Sequence, residues 1–247
     1  MNFFSLFKRN LIFKLKKKIS IDKDKITSKT LDHLFYEYGS DKANIFKVNQ
    51  KPGHGYSIYY KKKLEKYKNR SLNILEIGSY SGASAAAFTK YLPNSKVFCF
   101  DINISNFKYK SKNIHVFGIN INNEKKIIRI LDKIFSEQKI THFDMIIDDG
   151  SHKLRDILKS FKFFFKYVKS KGLYVIEDYK HPNYYDYNRN IDHILVDEFL
   201  ENLKNKKPFT SKIFDNLVQK ELIRSIEMID IFKGNLKDSD ISFITKA

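Results

Sequence analysis

The chain has 247 residues, 42% of them hydrophobic and 15% aromatic, which suffices for one sizeable core and one or at most two domains. Its single cysteine, Cys99, excludes a disulfide framework and a multi-cysteine zinc site, as is usual in the reducing cytoplasm. The net charge of +18 indicates attraction to anions, but the lysines are spread along the whole chain, so charge does not choose among nucleic acid, an acidic membrane and a phosphorylated small molecule.

Residues 1–19 alternate bulky apolar and basic residues and could form an amphipathic helix resting on an anionic membrane face. A frayed basic tail and a helix packed on a neighbouring subunit are the alternatives. Lys8, Arg9, Lys14 and Lys16 interrupt the apolar residues and no cleavage site of small residues follows, so we do not expect a signal peptide. No apolar run reaches the roughly 18–20 residues of a membrane span.

Two further helices are predicted before the first buried strand. Apolar residues at helical spacing predict one over 29–38, and another is predicted over 56–68. The glycines and proline between them indicate a loop over 39–55. Residues 1–70 are therefore interpreted as a basic, helical N-terminal extension.

From residue 72, short apolar runs alternate with amphipathic stretches. The runs that predict buried strands are LNILEIG, KVFCFDI, IHVFGIN, FDMIIDD and LYVIED. The helices predicted between them are SGASAAAFTKYL, NEKKIIRILDKIF and DILKSFKFFFKYV. This alternation predicts βαβ units around a parallel sheet.

The end of the chain has a different pattern. IDHILVDEFLENLKN is predicted to be helical, and SIEMIDIFKG and DISFITKA are predicted to pair as an antiparallel hairpin. The fold class we expect for 71–247 is α/β: a Rossmann-like, mostly parallel seven-stranded sheet with helices on both faces and an antiparallel C-terminal hairpin.

Acidic residues stand at the carboxyl ends of four predicted strands. They are Glu76, Asp101, the pair Asp148 and Asp149, and the pair Glu177 and Asp178. Ligands of an open parallel sheet bind beyond those ends, so we interpret these residues as one constellation.

The turn after the first strand, LEIGSYSGAS, carries Gly78 and Gly82, which let the backbone approach a ligand closely. It is not a dinucleotide fingerprint, because Tyr80 and Ala83 stand where glycines would be required. Asp101, at the end of the second strand, could accept both hydroxyls of a ribose. Glu76 could face an ammonium group or cap the adjacent turn.

ILEIGSYSGAS followed by VFCFDI resembles the cofactor half of the class I S-adenosylmethionine-dependent methyltransferases. The pair IIDDGSH and LYVIEDY resembles, more narrowly, the metal-dependent sugar O-methyltransferases of the macrolide mycinose type. Proteins long labelled cephalosporin hydroxylases share these signatures. The resemblance covers roughly residues 35–180, including the upstream DK and HGYSIYY.

The resemblance implies that Asp149, Glu177 and Asp178 bind a divalent cation and that His152 acts as a base. The chemistry agrees, since converging carboxylates repel one another unless a hard cation such as Mg²⁺ or Mn²⁺ neutralises them. The motifs contain no cysteine and no second histidine, which argues against zinc.

S-adenosylmethionine is the cofactor that the resemblance implies. Its expected contacts are Glu76, Gly78, Ser79, Gly82, Asp101, Ile102, Asn120, Asp148 and Tyr56. Asn120 stands where relatives tend to carry an acidic residue. Other candidates are His181, as a second base or substrate contact, and Tyr184, Tyr185 and Tyr187, which could stack on an acceptor or pack within their loop.

The expected activity is divalent-metal-dependent methyl transfer from S-adenosylmethionine to a sugar hydroxyl. The acceptor we expect is a nucleotide-activated sugar or one destined for a surface polysaccharide, and the alternative is a small-molecule glycoside or diol. A basic RNA-binding protein is the competing class, but evenly spread lysines do not form the clustered patch that it needs, so no nucleic-acid partner is expected. A homo-oligomer in the cytoplasm is compatible with all of this.

Overall fold

The computed structural model describes residues 3–23, 29–45, 47–48, 51–180, 183 and 188–247. The chain divides into two compact units, Met1–Ile140 and Thr141–Ala247. The boundary predicted between residues 70 and 71 lies inside the first unit, where it stays a prediction.

The described residues of the first unit form a parallel sheet and five α-helices. Its helices are α1 (Phe3–Leu15), α2 (Leu31–Tyr38), α3 (Ser57–Leu64), α4 (Ala83–Tyr91) and α5 (Glu124–Gln138). Its strands are β1 (Ile19–Ser20), β2 (Lys47–Val48), β3 (Lys51–Pro52), β4 (Asn73–Ile77), β5 (Lys96–Asp101), β6 (Tyr109–Lys110) and β7 (Ile114–Gly118). β4, β5 and β7 are parallel neighbours in that order, which confirms the three strands predicted here. β1 pairs in parallel with β6, and β2 pairs with β3 in an antiparallel ribbon.

Helices α2, α3 and α4 share an aromatic core. The fully buried rings of Phe35, Tyr60 and Phe88, one from each helix, contact one another edge to face with centroids 5.2–6.2 Å apart. Helix α2 begins where the hydroxyl of Thr30 accepts a hydrogen bond from the His33 N–H, and it ends at Gly39 in the left-handed conformation. Both helices predicted upstream of residue 72 are thereby confirmed.

Helix α1 packs on its own unit, so a frayed tail is wrong for the described residues. The ring of Phe13 contacts that of Phe107, with centroids 6.2 Å apart. Arg9 donates a hydrogen bond to the Ile102 carbonyl at 3.3 Å, and Lys16 donates to the Ser105 carbonyl at 3.0 Å. These contacts hold α1 over the loop that follows β5.

In the second unit, the part of the chain that the structure describes forms four strands and four α-helices. Its strands are β8 (Phe143–Asp148), β9 (Val168–Glu177), β10 (Ile226–Lys233) and β11 (Asp240–Lys246). Its helices are α6 (Leu154–Phe164), α7 (Asn188–Ile191), α8 (Val196–Lys204) and α9 (Asn216–Ser225). β8 and β9 are parallel, whereas β11 pairs antiparallel with both β9 and β10. The predicted C-terminal hairpin is confirmed.

Two features of the second unit differ from the prediction. The helix expected over residues 191–205 is interrupted between α7 and α8. Asp192 is fully buried there and accepts hydrogen bonds from the Ser211 hydroxyl at 2.7 Å and the Ile194 N–H at 3.3 Å, which turns the chain. Helix α9 was not predicted, although Asp215 caps it by accepting from two backbone N–H groups, both at 3.0 Å. No helix in the described part of the chain is both long and apolar enough to cross a membrane.

Candidate functional site

Three of the predicted site residues meet at the carboxyl ends of β8 and β9. Asp149, His152 and Asp178 each offer one ligand atom, and these atoms all lie within 4.8 Å of one another. Asp149 directly follows β8 and Asp178 directly follows β9, so the parallel pairing of the two strands brings both carboxylates to the same edge. His152 Nε2 lies 3.7 Å from Asp149 Oδ1.

The backbone at this edge adopts a left-handed conformation that residues other than glycine rarely adopt. His152 and Asp178 have φ angles of +53° and +51°, in the left-handed region. Such residues cost on the order of 1–3 kcal/mol each and are concentrated at functional sites. The Asp178 N–H donates to the Asp240 carbonyl at 2.9 Å, which fixes the direction of the chain where β9 ends.

The two adjacent aspartates face different surroundings. Asp148 is buried, and the Tyr174 hydroxyl donates to its Oδ2 at 3.3 Å, while Ser160 Oγ lies 3.1 Å from the same hydroxyl. Burial raises the pKa of Asp148 to about 6, and the hydrogen bond from Ser160 opposes that rise. Asp149 keeps 21% of its side chain exposed. The sequence places two carboxylates side by side, and only the second belongs to the partly buried cluster with His152 and Asp178. A cofactor contact by Asp148 stays a prediction.

Glu177, predicted as a third metal ligand, does not belong to this group of three. It is the last residue of β9, pairs with Ile241 of β11, and is almost completely buried. Its role as a ligand stays a prediction.

Asp240 is a neighbour of the cluster that sequence reasoning missed. Its buried carboxylate forms ion pairs with Lys180 Nζ at 3.1 Å and Lys233 Nζ at 2.9 Å. These two lysines offset the negative charge that Asp240 adds beside the backbone of Asp178. An aspartate at the start of a C-terminal strand gives no sequence signal of this contact.

In the first unit, the predicted cofactor turn joins β4 to α4. Gly78 and Gly82 have φ angles of +88° and +76°, and the Gly78 N–H donates to the Phe100 carbonyl at 2.8 Å. A Cβ added at Gly82 would collide with the ring of Phe107, so only glycine fits there without movement. The buried Ser79 accepts a hydrogen bond from the Gly82 N–H through its carbonyl at 2.7 Å.

Two carboxylates border this turn. Asp101 Oδ2 accepts from the Tyr80 N–H at 2.7 Å, and Oδ1 accepts from the Asn103 N–H at 2.5 Å. Each carboxylate oxygen has a second lone pair, so Asp101 could still accept ribose hydroxyls. Glu76 is fully buried and accepts a hydrogen bond from the Ser84 hydroxyl of α4.

The other predicted cofactor contacts serve local structure in the described chain. The Ile102 carbonyl accepts from Arg9, and Asn120 Oδ1 accepts from the Asn122 N–H at 3.0 Å just before α5. Tyr56 is fully buried, with its ring centroid 5.5 Å from that of His54. Cofactor roles for these residues stay predictions. Four further candidates lie outside the described residues: His181, Tyr184, Tyr185 and Tyr187.

Asn10 of α1 is a second residue that the sequence did not single out. Its Oδ1 is buried and accepts no hydrogen bond from any residue that the structure describes. This oxygen covers Gly118 at the end of β7, where it occupies the space that a Cβ would need. With Arg9 on the Ile102 carbonyl, α1 therefore covers the carboxyl ends of both β5 and β7.

The residues present fit the two groups that the resemblance implies. The carboxylates of Asp149 and Asp178 provide oxygen donors for a divalent cation, which would also relieve their mutual repulsion, and the imidazole of His152 lies within 4.8 Å of both. Beside the turn with left-handed Gly78 and Gly82, buried Glu76 and the carboxylate of Asp101 offer the acceptors that a nucleoside requires.

The chain is similar in sequence to several O-methyltransferases. The mycinamicin VI 2''-O-methyltransferase of Micromonospora griseorubida is 29% identical over 132 residues, which are 51% of this chain and 31% of that protein. The L-olivosyl-oleandolide 3-O-methyltransferase of Streptomyces antibioticus is 31% identical over 158 residues, 60% of this chain and 36% of that protein. Over these segments the chain is similar to macrolide sugar O-methyltransferases. The matched segments span about a third of these relatives.

Solved structures show the same fold. The MycE methyltransferase of the mycinamycin pathway, in complex with Mg, SAH and mycinamycin VI, superposes with a TM-score of 0.65 at 20% identity. The match covers 89% of this chain and 55% of MycE. No protein-family model matches the chain. The predicted fold class, a Rossmann-like and mostly parallel sheet with an antiparallel C-terminal hairpin, is confirmed.

Proposed function

We propose that this chain is an S-adenosylmethionine-dependent O-methyltransferase that methylates a sugar hydroxyl with the help of Mg²⁺ or Mn²⁺. The observation that carries the proposal is the group of Asp149, His152 and Asp178 at the ends of two parallel strands. Similarity to proteins named as O-methyltransferases of mycinamicin VI and of L-olivosyl-oleandolide supports it, and so does the fold shared with MycE, which was solved in complex with Mg and SAH.

The turn between β4 and α4 and the residues beside it would bind S-adenosylmethionine. In our proposal the left-handed glycines let the backbone of this turn approach S-adenosylmethionine, and Asp101 accepts the ribose hydroxyls. Buried Glu76 offers a negative charge to the ammonium of the methionine moiety. The cofactor, when bound, supplies the electrophilic methyl group.

The carboxylates of Asp149 and Asp178 would hold the cation, with Glu177 as the predicted third ligand. A divalent cation lowers the pKa of a hydroxyl that coordinates it. His152 takes the hydroxyl proton at Nε2, the atom that lies 3.7 Å from Asp149 Oδ1. The side chain is 30% exposed, so the proton can leave to solvent.

A small-molecule glycoside is the acceptor class that the relatives favour. Their names specify mycinamicin VI, L-olivosyl-oleandolide and, in the Streptomyces olivaceus relative, an α-L-rhamnosyl tetracenomycin C. The nucleotide-activated or polysaccharide sugar expected from the sequence receives no support from these names. We therefore propose a glycoside hydroxyl as the site of methylation.

Calorimetry with S-adenosylmethionine, followed by mass spectrometry of methyl transfer to a panel of glycosides and nucleotide sugars, tests this function. We expect cofactor binding, turnover that a chelator abolishes, and recovery with Mg²⁺ or Mn²⁺. A chain that does not bind the cofactor is not a methyltransferase of this kind. Methylation of nucleotide sugars alone would overturn the choice of acceptor and leave the reaction class standing.

The role of His152 can be separated from that of a metal ligand by measuring Mn²⁺ affinity and turnover together. A base predicts that His152→Ala loses about 10²–10⁴-fold in rate while Mn²⁺ binding barely changes. Asp178→Asn should instead weaken Mn²⁺ binding. The exposed His142, changed to Ala, is the matched control, and neither quantity should change in that variant. A large loss of Mn²⁺ affinity in His152→Ala would make the imidazole a ligand.

A further inference from the structure

The outer face of α1 is an exposed apolar stripe. Four large side chains at spacings of three or four residues lie on one side of the helix. They are Phe4, Phe7, Leu11 and Leu15, which are 75%, 60%, 46% and 79% exposed. Contiguous exposed apolar surface of this kind is typical of sites that bind a protein or a membrane.

The stripe faces outward because the opposite face of α1 is fixed to the first unit. Phe13 contacts Phe107, Arg9 and Lys16 donate to backbone carbonyls, and Asn10 covers Gly118. The helix therefore cannot turn its apolar residues inward without breaking these contacts. The stripe is therefore exposed in the folded chain, in which α1 is held in place by these contacts.

Lysines border the stripe on both sides. Lys8 and Lys14 are exposed and lie next to the apolar residues around the helix, and α1 contains no acidic residue. The whole chain carries a net charge of +18. An apolar stripe between basic side chains is the pattern of a helix that lies in the plane of an anionic membrane surface.

We propose that the outer face of α1 docks on an anionic membrane surface. The apolar stripe enters the boundary between headgroups and acyl chains, and Lys8 and Lys14 contact anionic headgroups. Nucleic acid fits less well, because its phosphates call for cations and not for four exposed apolar side chains. A second copy docked through the same face would bring like-charged lysines of two helices together. This docking is independent of the methyltransferase function proposed above.

Flotation of the full chain with lipid vesicles tests the proposal. We expect binding to phosphatidylcholine vesicles that contain about 30% phosphatidylserine, weak binding to phosphatidylcholine alone, and loss of binding as salt rises. The triple variant Phe7→Ser, Leu11→Ser, Leu15→Ser should lose at least about tenfold in affinity. Leu217→Ser, which removes an equally exposed apolar side chain from α9, is the control and should bind as the unchanged chain does.

A charge variant separates the helix from the general basicity of the chain. Lys8→Glu with Lys14→Glu should weaken binding to anionic vesicles by at least about fivefold per lysine. The control pair Lys204→Glu with Lys220→Glu makes the same change in net charge at exposed positions of α8 and α9 and should have a much smaller effect. Equal losses in the two pairs would show that bulk charge governs binding and would overturn the proposal.

Two other results would also overturn it. One is equal affinity for neutral and anionic vesicles, or none for either. The other is a dimer in light scattering that the triple variant dissociates, together with no vesicle binding, which would assign the stripe to a second copy of the chain. The substituted side chains are exposed, so circular dichroism of every variant should match that of the unchanged chain.

Discussion

Replacing Gly82 by alanine tests whether the turn between β4 and α4 is built as the structure shows. The substitution has two costs. An L-residue in the left-handed conformation, here at a φ of +76°, costs about 1–2 kcal/mol. The new Cβ would also lie 2.6 and 2.7 Å from Cε1 and Cε2 of Phe107 and closer still to Cζ, and overpacking of this kind costs about 1–3 kcal/mol. The free energy of unfolding should therefore fall by about 2–5 kcal/mol.

Gly39→Ala is the matched control. Gly39 has a φ of +80°, nearly that of Gly82, but no atom lies within 4 Å of an added Cβ. Only the conformational cost remains, so we expect a loss of about 1–2 kcal/mol. The measurements are urea unfolding and thermal melting by circular dichroism, where 1 kcal/mol shifts the melting temperature of a chain of this size by about 2–4 °C.

The collision itself is tested by combining Gly82→Ala with Phe107→Leu. Leucine removes the ring atoms that the new Cβ would meet, so the double variant should be more stable than the sum of the two single changes by about 1 kcal/mol or more. Strict additivity, or equal losses for Gly82→Ala and Gly39→Ala, would refute the steric argument.

Three further predictions concern Tyr174 and Cys99, which are buried, and His115, which is partly buried. Tyr174→Phe should lower the free energy of unfolding by about 1–3 kcal/mol, because the buried carboxylate of Asp148 loses a hydrogen-bond donor; urea unfolding that gives the unchanged value would contradict this. Burial, with a contribution from Lys96, lowers the pKa of His115, so the folded state favours the neutral ring. The free energy of unfolding should therefore decline as pH falls below the ordinary pKa of 6.5. His115→Gln should flatten that decline in thermal melts at several pH values. Burial raises the pKa of the Cys99 thiol, so a thiol reagent should label the native chain at least about 100-fold more slowly than the chain in urea, and equal rates would show that the thiol is accessible.

Strands and helices between residues 72 and 178 were predictable because apolar runs and amphipathic stretches are local signals. The meeting of Asp149 with Asp178 was also predictable, since neighbouring parallel strands end at one edge. The break at Asp192 was not, because it depends on a hydrogen bond from Ser211, which the order of residues does not reveal. Asp240 was missed for the same reason, as its partners lie in other elements.

The position of α1 shows a different limit of sequence reasoning. Alternating apolar and basic residues indicated an amphipathic helix, but not which of its faces would be covered. The residues that cover it, such as Phe107, become neighbours only in the folded first unit. Polar residues on the inner face, Arg9 and Asn10, then acquire contacts with Ile102 and Gly118 that no spacing rule contains.

One side of α1 contacts the Ile102 carbonyl through Arg9 and Gly118 through Asn10. A change in the position of α1 would therefore change the surface at the ends of β5 and β7, beside the turn proposed to bind the nucleoside. Linkage is reciprocal, so if docking of α1 changed affinity at the turn, binding at the turn would change the affinity of docking by the same factor. The outer and inner faces of α1 would thus be coupled through one helix.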